Sequence, residues 1–550
     1  MRHTKFIKAK HDGRESGFEP VIAVIFLIFS SFLMFHTFGY DPKTHTILIA
    51  SRLWSDFGSH IPLIRSFSMG TNWPPEYPIF PGEPIRYHFL FYAFVGILEK
   101  AGLRLDWALN LPSAMGLTLL LWGIWSLVMQ LFKNARIAAL SIVFFLFNGS
   151  LAFLKFFAQH PLSWNTPIDI IRASAFPAFG PWDNGLISAF WNLNVYTNQR
   201  HLALAFAIGI WFLVSVASGK NTIIAAVFWG LLIGTLPYFH QPMLLIMAVL
   251  LITSFLLFPR MRLSLLITGG ISLILIAPQL LTMPKSESFL YYPGYLIHDR
   301  LTFVTFLSYW FSNLGLHMIL IPLGFFFVPN RAKKVLVSLF LIFLVSNLFK
   351  FSMEVTANHK FFNFALILGN MITAYVIVRF LSSLHVMKII KIILTLMIVI
   401  ALTLSGLIDF FVVINDTKGV LADVGNNETA TWIVRNTPRS AIFLNSSFLY
   451  HPASIAGRKI FMGWPYFPWS AGYDTYGRMV EMKTMYESKN PQIFCPLLEK
   501  HAISYITVED ANNDANLPNI DTKYFEALKK PVFTNTQRSL AIYATTDLCS

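Results

Sequence analysis

Long apolar runs separated by short polar breaks dominate the chain. Runs of spanning length fall near 20–38, 109–132, 137–157, 202–218, 222–239, 243–258, 264–283, 303–328, 335–351, 361–380 and 389–410. That is about eleven on a window of roughly 19 residues. Each predicts a transmembrane helix, because only an intra-segment hydrogen-bond ladder satisfies the backbone in lipid. The apolar run at 87–98 is only about a dozen residues and predicts an interfacial or re-entrant helix instead. Basic residues test this division. Lys133 and Arg136, Lys220, Arg260 and Arg262, Arg331 with Lys333 and Lys334, and Arg379 with Lys388 and Lys391 fall in alternate loops. The basic Met1-to-Arg14 segment lies on the same side. The positive-inside rule makes that side cytoplasmic, and the odd count leaves the C-terminus outside. Counting 87–98 as a span would invert every later loop. The first run is too long for a signal-peptide core and has no small-residue cleavage site, so it reads as a retained span.

Polar residues gather in the opposite, outer loops. The first, about 39–108, holds Trp54-Ser-Asp-Phe-Gly-Ser-His-Ile-Pro-Leu-Ile-Arg65. Asp56 and His60 are four apart and share a helix face. Leu53, Phe57, Ile61 and Ile64 form an adjoining apolar stripe that suits an interfacial helix, with a kink or fresh start at Pro62. Taken alone, this is also what the solvated face of an interfacial helix presents. The same loop continues to Arg86-Tyr-His88; later outer loops carry Trp182-Asp-Asn184, Asn198-Gln-Arg-His201, His240-Gln-Pro242, Asp299-Arg300, Glu354 and Asn358-His-Lys360. Polar groups collected at one face predict an extracytoplasmic site. A secondary transporter, the alternative, would place them near the midplane, often in repeated halves, and no internal repeat is visible.

From about Asp409 the pattern becomes that of a soluble unit, with helices over 427–435 and 476–486 and strands over 441–444, 459–462, 503–508 and 540–543. The expected organisation is a membrane domain over 1–410 and an extracytoplasmic α/β domain over 411–550. Composition agrees: of 550 residues, 55% are hydrophobic, 16% aromatic and 13% charged, against about 25% charged in soluble domains. The net charge of +14 is accounted for by loop residues meeting anionic lipid, and no nucleic-acid signature accompanies it. Cys495 and Cys549 permit one internal disulfide or two reduced thiols; spacing alone leaves both open. A Gly-rich phosphate loop, metal-ligand Cys/His spacing and a nucleophile elbow are all absent from the sequence.

The layout resembles the GT-C superfamily of integral-membrane glycosyltransferases, which take sugars from polyprenyl-phosphate donors. The segments that carry the likeness are Ser55-to-Arg65 running on to Arg86-Tyr-His88, Asn198-Gln-Arg-His201, and Ala456-Gly-Arg-Lys-Ile-Phe-Met-Gly-Trp464 with Gly472-Tyr-Asp474. The resemblance implies a mainly α fold: a polytopic helix bundle with a C-terminal α/β domain outside. It also implies sugar transfer to an envelope acceptor, with an envelope-glycan polymerase or ligase as the nearest alternative. It carries the superfamily's first-loop acid onto Asp56, as general base or metal ligand, with His60 tuning it. Arg200 becomes the donor-phosphate binder through its bidentate fork, assisted by Lys360 and His359; Gln199, His201, His240, Arg65, Arg86 and His88 complete the expected substrate site. The paired first-loop acids of better-known members are missing here, since Phe57 follows Asp56. Only Asp183 or Asp169 could stand in for their second-loop acid. Magnesium or manganese is therefore admitted by the resemblance without being required. Arg458, Trp464 and Asp474 are expected to fold and dock the outer domain.

Overall fold

The computed structural model describes residues 19–180, 190–191, 193–219, 221–282, 290–294, 296–297, 299–352, 354, 358–385, 387–509, 516–537 and 539–549. Asp183 and Lys220 lie outside the described residues.

Among the described residues, five helices are long and apolar enough to cross a bilayer: Glu19–Thr37 (α1), Leu105–Phe132, Pro259–Gln279, His359–Ser383 and Lys388–Ile414. Several such helices make this a multi-pass membrane protein. The expected 303–328 span is two helices, Phe303–Leu314 and His317–Phe327, meeting at 92°; Gly315, at φ 53°, makes the corner. Ala135–Leu146, Leu202–Ser218, Ile223–Phe239 and Pro242–Leu257 are apolar but shorter. The expected 137–157 run divides into Ala135–Leu146 and Phe153–Gln159, and 335–351 keeps only Ser338–Leu348 as its central helix. Thus five to six helices meet the length criterion where the hydropathy pattern predicted about eleven. Hydropathy averages over breaks that backbone geometry does not.

Local chemistry explains the turn between Leu105–Phe132 and Ala135–Leu146. Leu105–Phe132 ends on Lys133 in the left-handed region, and the Asn134 side chain accepts from the Arg136 and Ile137 N–H groups to cap Ala135–Leu146. The His359–Ser383 helix is the most enclosed of the long ones and packs against Ala135–Leu146, His317–Phe327 and Ser338–Leu348.

Directly after α1, strands β1 (Phe38–Asp41) and β2 (Thr46–Ala50) form an antiparallel pair, and β2 pairs on its other edge with Lys418–Ala422. The chain leaving the last long helix is thereby stitched beside the start of α2 (Trp54–Ser68). α2 runs unbroken through Pro62, so the expected kink does not interrupt it. Every residue of α2 from Phe57 to Ser68 is buried, which makes it an enclosed helix and not one with a solvated face. The predicted stripe of Leu53, Phe57, Ile61 and Ile64 is fully covered, each side chain worth roughly 1.5–3 kcal/mol. The short apolar run becomes α3 (Leu90–Lys100), which crosses α2 closely: a Cβ on Gly96 would come within 2.7 Å of the Ile64 carbonyl.

The C-terminal residues build a five-stranded mixed sheet in the order Phe533–Thr534, Leu540–Ala544, Ile503–Glu509, Ile442–Leu444, Lys459–Ile460. Helices Glu428–Asn436, Thr475–Glu487 and Pro491–Lys500 accompany it. Its apolar core also takes in Tyr77, Ile79 and Phe80 of the first loop, so that loop is shared between the two halves of the molecule. Cys495 and Cys549 are joined as a disulfide.

Candidate functional site

The start of α2 is held from the other end of the chain. Ser51 N–H and Oγ donate to the Thr417 carbonyl at 2.8 and 2.9 Å, and Arg52 N–H donates to Asp416 at 2.9 Å. Tyr450 Oη donates to the Trp54 carbonyl, its ring packing edge-on at 4.7 Å. Asp56 therefore stands in the first turn of a clamped helix, where the helix dipole favours an anion.

The Asp56 carboxylate is partly covered, and its charge is felt at Tyr77, Tyr87, Tyr92, Tyr450 and Tyr466. Burial pushes its pKa up to about 6; the charge of Lys360 lowers it and that of Glu354 raises it further. Lys360, in the first turn of His359–Ser383, makes no side-chain hydrogen bond or ion pair among the described residues. The carboxyl thus lies within electrostatic reach of five tyrosines and of an ammonium that makes no ion pair among the described residues. His60, one turn on from Asp56, is buried with its ring stacked on Tyr92 at 4.6 Å, and its Nδ1 has no partner. Burial, then the Arg200 charge, depresses its pKa to about 3, so it is a neutral imidazole.

The other expected site residues divide sharply. Arg65 is enclosed between Glu99 at 3.1 Å and Asp423 at 2.9 Å, tying α2, α3 and the C-terminal segment together. Arg86 pairs with Glu83, donates to the Gly472 carbonyl and lies 4.6 Å over the Tyr473 ring. Arg200 is fully buried: it donates to Asn110 Oδ1 at 3.0 Å, Thr37 Oγ1 at 2.9 Å and the Met34 carbonyl at 3.3 Å, behind the Phe57 ring. To grip a phosphate it would have to give up those bonds. His359 is buried against Phe190 and Asn363. Gln199 caps nothing with its side chain; its buried Oε1 lacks a partner. Asp169 lies in the short helix Thr166–Ile171, half-exposed. Arg458 donates to the carbonyls of Ile433, Val434 and Thr437, closing the Glu428–Asn436 helix, and Asp474 caps Thr475–Glu487.

Three histidines of the expected substrate site meet one another. His201 Nε2 is 3.0 Å from His240 Nδ1, and the His88 ring lies tilted with its centre 4.2 Å from that of His201. Tyr92 Oη reaches His201 Nδ1 at 3.1 Å, so Tyr92 links this group to His60. The electrostatic coupling of Tyr77, Tyr87, Tyr92, Tyr450 and Tyr466 to Asp56 was missed in the sequence. With 19 tyrosines and 53 phenylalanines in the chain, no pattern singles out these five.

Neither a family model nor a characterised protein matches the sequence. Among solved structures, the chain is similar to the archaeal oligosaccharyltransferase AglB from Archaeoglobus fulgidus in complex with an inhibitory peptide and a dolichol-phosphate. There the identity is 13%, with 90% of this chain and 70% of that one covered, at a TM-score of 0.43. It is also similar to ArnT from Cupriavidus metallidurans. For the apo state the identity is 12%, 98% and 99% are covered, and the TM-score is 0.47; for the form bound to undecaprenyl phosphate the values are 12%, 96% and 98%, and 0.48. At this level of overlap the likeness assigns no residue.

Proposed function

We propose that the chain is an integral-membrane glycosyltransferase that moves a sugar from a polyprenyl-phosphate donor to an envelope acceptor, with its centre on the extracytoplasmic side. The reading is carried by Asp56, in the first turn of a helix clamped from the other end of the chain, together with the Lys360 charge that acts on it. Transfer breaks the bond between the sugar's anomeric carbon and the phosphate oxygen and forms one to the acceptor oxygen. The acceptor hydroxyl must lose a proton, and the departing phosphate must hold the electron pair. Asp56, with a pKa near 6, is an ionised base at neutral pH that still accepts a proton readily. Lys360 offers a cation uncommitted to other side chains for the phosphate, worth most where water is excluded.

Arg200 and Arg65 act in this reading as buried anchors of α2 and its neighbours, and Arg86 as a dock for the C-terminal segment. Residues 411–550 form the extracytoplasmic portion, in keeping with a disulfide between Cys495 and Cys549, since disulfides persist in oxidising compartments. Donor binding tests the role of Lys360. Lys360→Ala is expected to weaken binding of a polyprenyl phosphate by about 1.5–3 kcal/mol, read by titration of the detergent-solubilised protein. Unchanged affinity would remove Lys360 from the site.

A further inference from the structure

His88, His201 and His240 come from three separate segments: the approach to α3, the turn before Leu202–Ser218, and the break between Leu236–Phe239 and Pro242–Leu257. All three are buried, and one ring nitrogen of each lies within 4.8 Å of the other two. No carboxylate and no cysteine belongs to the group. Nε2 of His88 and Nε2 of His240 are buried without a hydrogen-bond partner. A buried ring nitrogen without a partner is unfavourable, and a shared cation would give the His88 nitrogen one; His240 Nε2 stays outside the group, since His240 meets His201 through Nδ1.

We propose that these three histidines form a transition-metal site of the zinc class. Imidazole-only donors suit zinc, copper, iron or nickel and are poor for magnesium or manganese, the ions the family likeness admits. Zinc–nitrogen bonds of about 2.0–2.1 Å place tetrahedral donors about 3.3 Å apart. The His201–His240 pair, at 3.0 Å, already has nearly that spacing, and closing the widest pair completes three corners. With His201 ligating through Nε2, its Nδ1–H donates to Tyr92 Oη, the outer partner that fixes a metal-bound imidazole's tautomer. Three protein ligands leave a fourth position open. The Lys360 charge is felt at all three rings. It opposes a bare cation there, which favours an anionic oxygen, hydroxide or a phosphate, at the fourth position.

The test is metal binding by the full-length protein, independent of any transfer activity. After chelator treatment and dialysis, cobalt(II) added to the wild type should give the visible absorption of a tetrahedral centre at one equivalent. Zinc should displace it, and inorganic phosphate should tighten zinc binding, as linkage requires. His88→Gln and His240→Gln, chosen as polar replacements that keep the packing, should each lower zinc affinity at least tenfold. A wild type with no tetrahedral cobalt spectrum overturns the proposal even if the variants fold poorly, and so does unchanged zinc affinity in folded variants. A wild type that transfers sugar but binds no metal would sink this site alone, whereas metal binding without transfer would leave it standing and remove the glycosyltransferase reading.

Discussion

At the scale of single residues, the account turns on what surrounds each charge. Asp56 is a carboxyl whose pKa rises to about 6 in the folded protein, mainly by burial. A base must be ionised, so transfer should fall as pH drops through about 6 and level off above it; a rate flat from pH 5 to 8 would contradict the assignment. The same shift has a stability consequence. Between the ordinary carboxyl pKa and about 6 the folded state binds more proton than the unfolded one, so this group's contribution weakens as pH rises through that window. Asp56→Asn should therefore be at least as thermostable as the wild type at pH 7.5, with any gain no more than about 3 kcal/mol. The placement of Asp56 and His60 one turn apart on a helix was legible because a helical spacing of four is local. The confinement of Arg65 was not, since its partner Asp423 lies 358 positions along the chain. The histidine group was read as three separate substrate-site residues for the same reason: nothing in the sequence joins positions 88, 201 and 240.

At the scale of elements, α2 is set by two constraints. The first is its ion-pair cluster. Arg65→Met leaves Glu99 and Asp423 buried without their cation, and breaking such a pair costs about 3–5 kcal/mol, measurable as a lower unfolding midpoint. The second is the close α2–α3 crossing at Gly96. Gly96→Val should wedge the helices apart, costing about 1–3 kcal/mol, whereas a Gly269→Ala control meets no neighbouring atom. Apolar periodicity was a good guide to the existence of these helices, and 87–98 was correctly read as too short to span. It failed at breaks such as Gly315, where one residue with φ 53° turns a run of spanning length through 92°. Pro62 misled in the opposite direction: α2 continues through it, because burial on every side outweighs one missing backbone bond.

At the scale of the whole molecule, the chain's two ends meet over the candidate site: β2 pairs with Lys418–Ala422, and first-loop aromatics enter the C-terminal core. The composition shift near Asp409 was legible; this stitching was not, because strand pairing across the full chain leaves no local trace. With both cysteines joined, single cysteines are clean reporters of topology. An impermeant reagent on intact cells should label Tyr476→Cys, where the side chain is 81% exposed, and spare Lys334→Cys; the reverse would overturn the orientation. The central claim meets its most direct test in reconstituted vesicles supplied with a panel of polyprenyl-phosphate sugars and an envelope acceptor. The wild type should transfer sugar, and folded Asp56→Asn should lose about 100- to 10,000-fold in rate; transfer by Asp56→Asn at the wild-type rate would contradict the account.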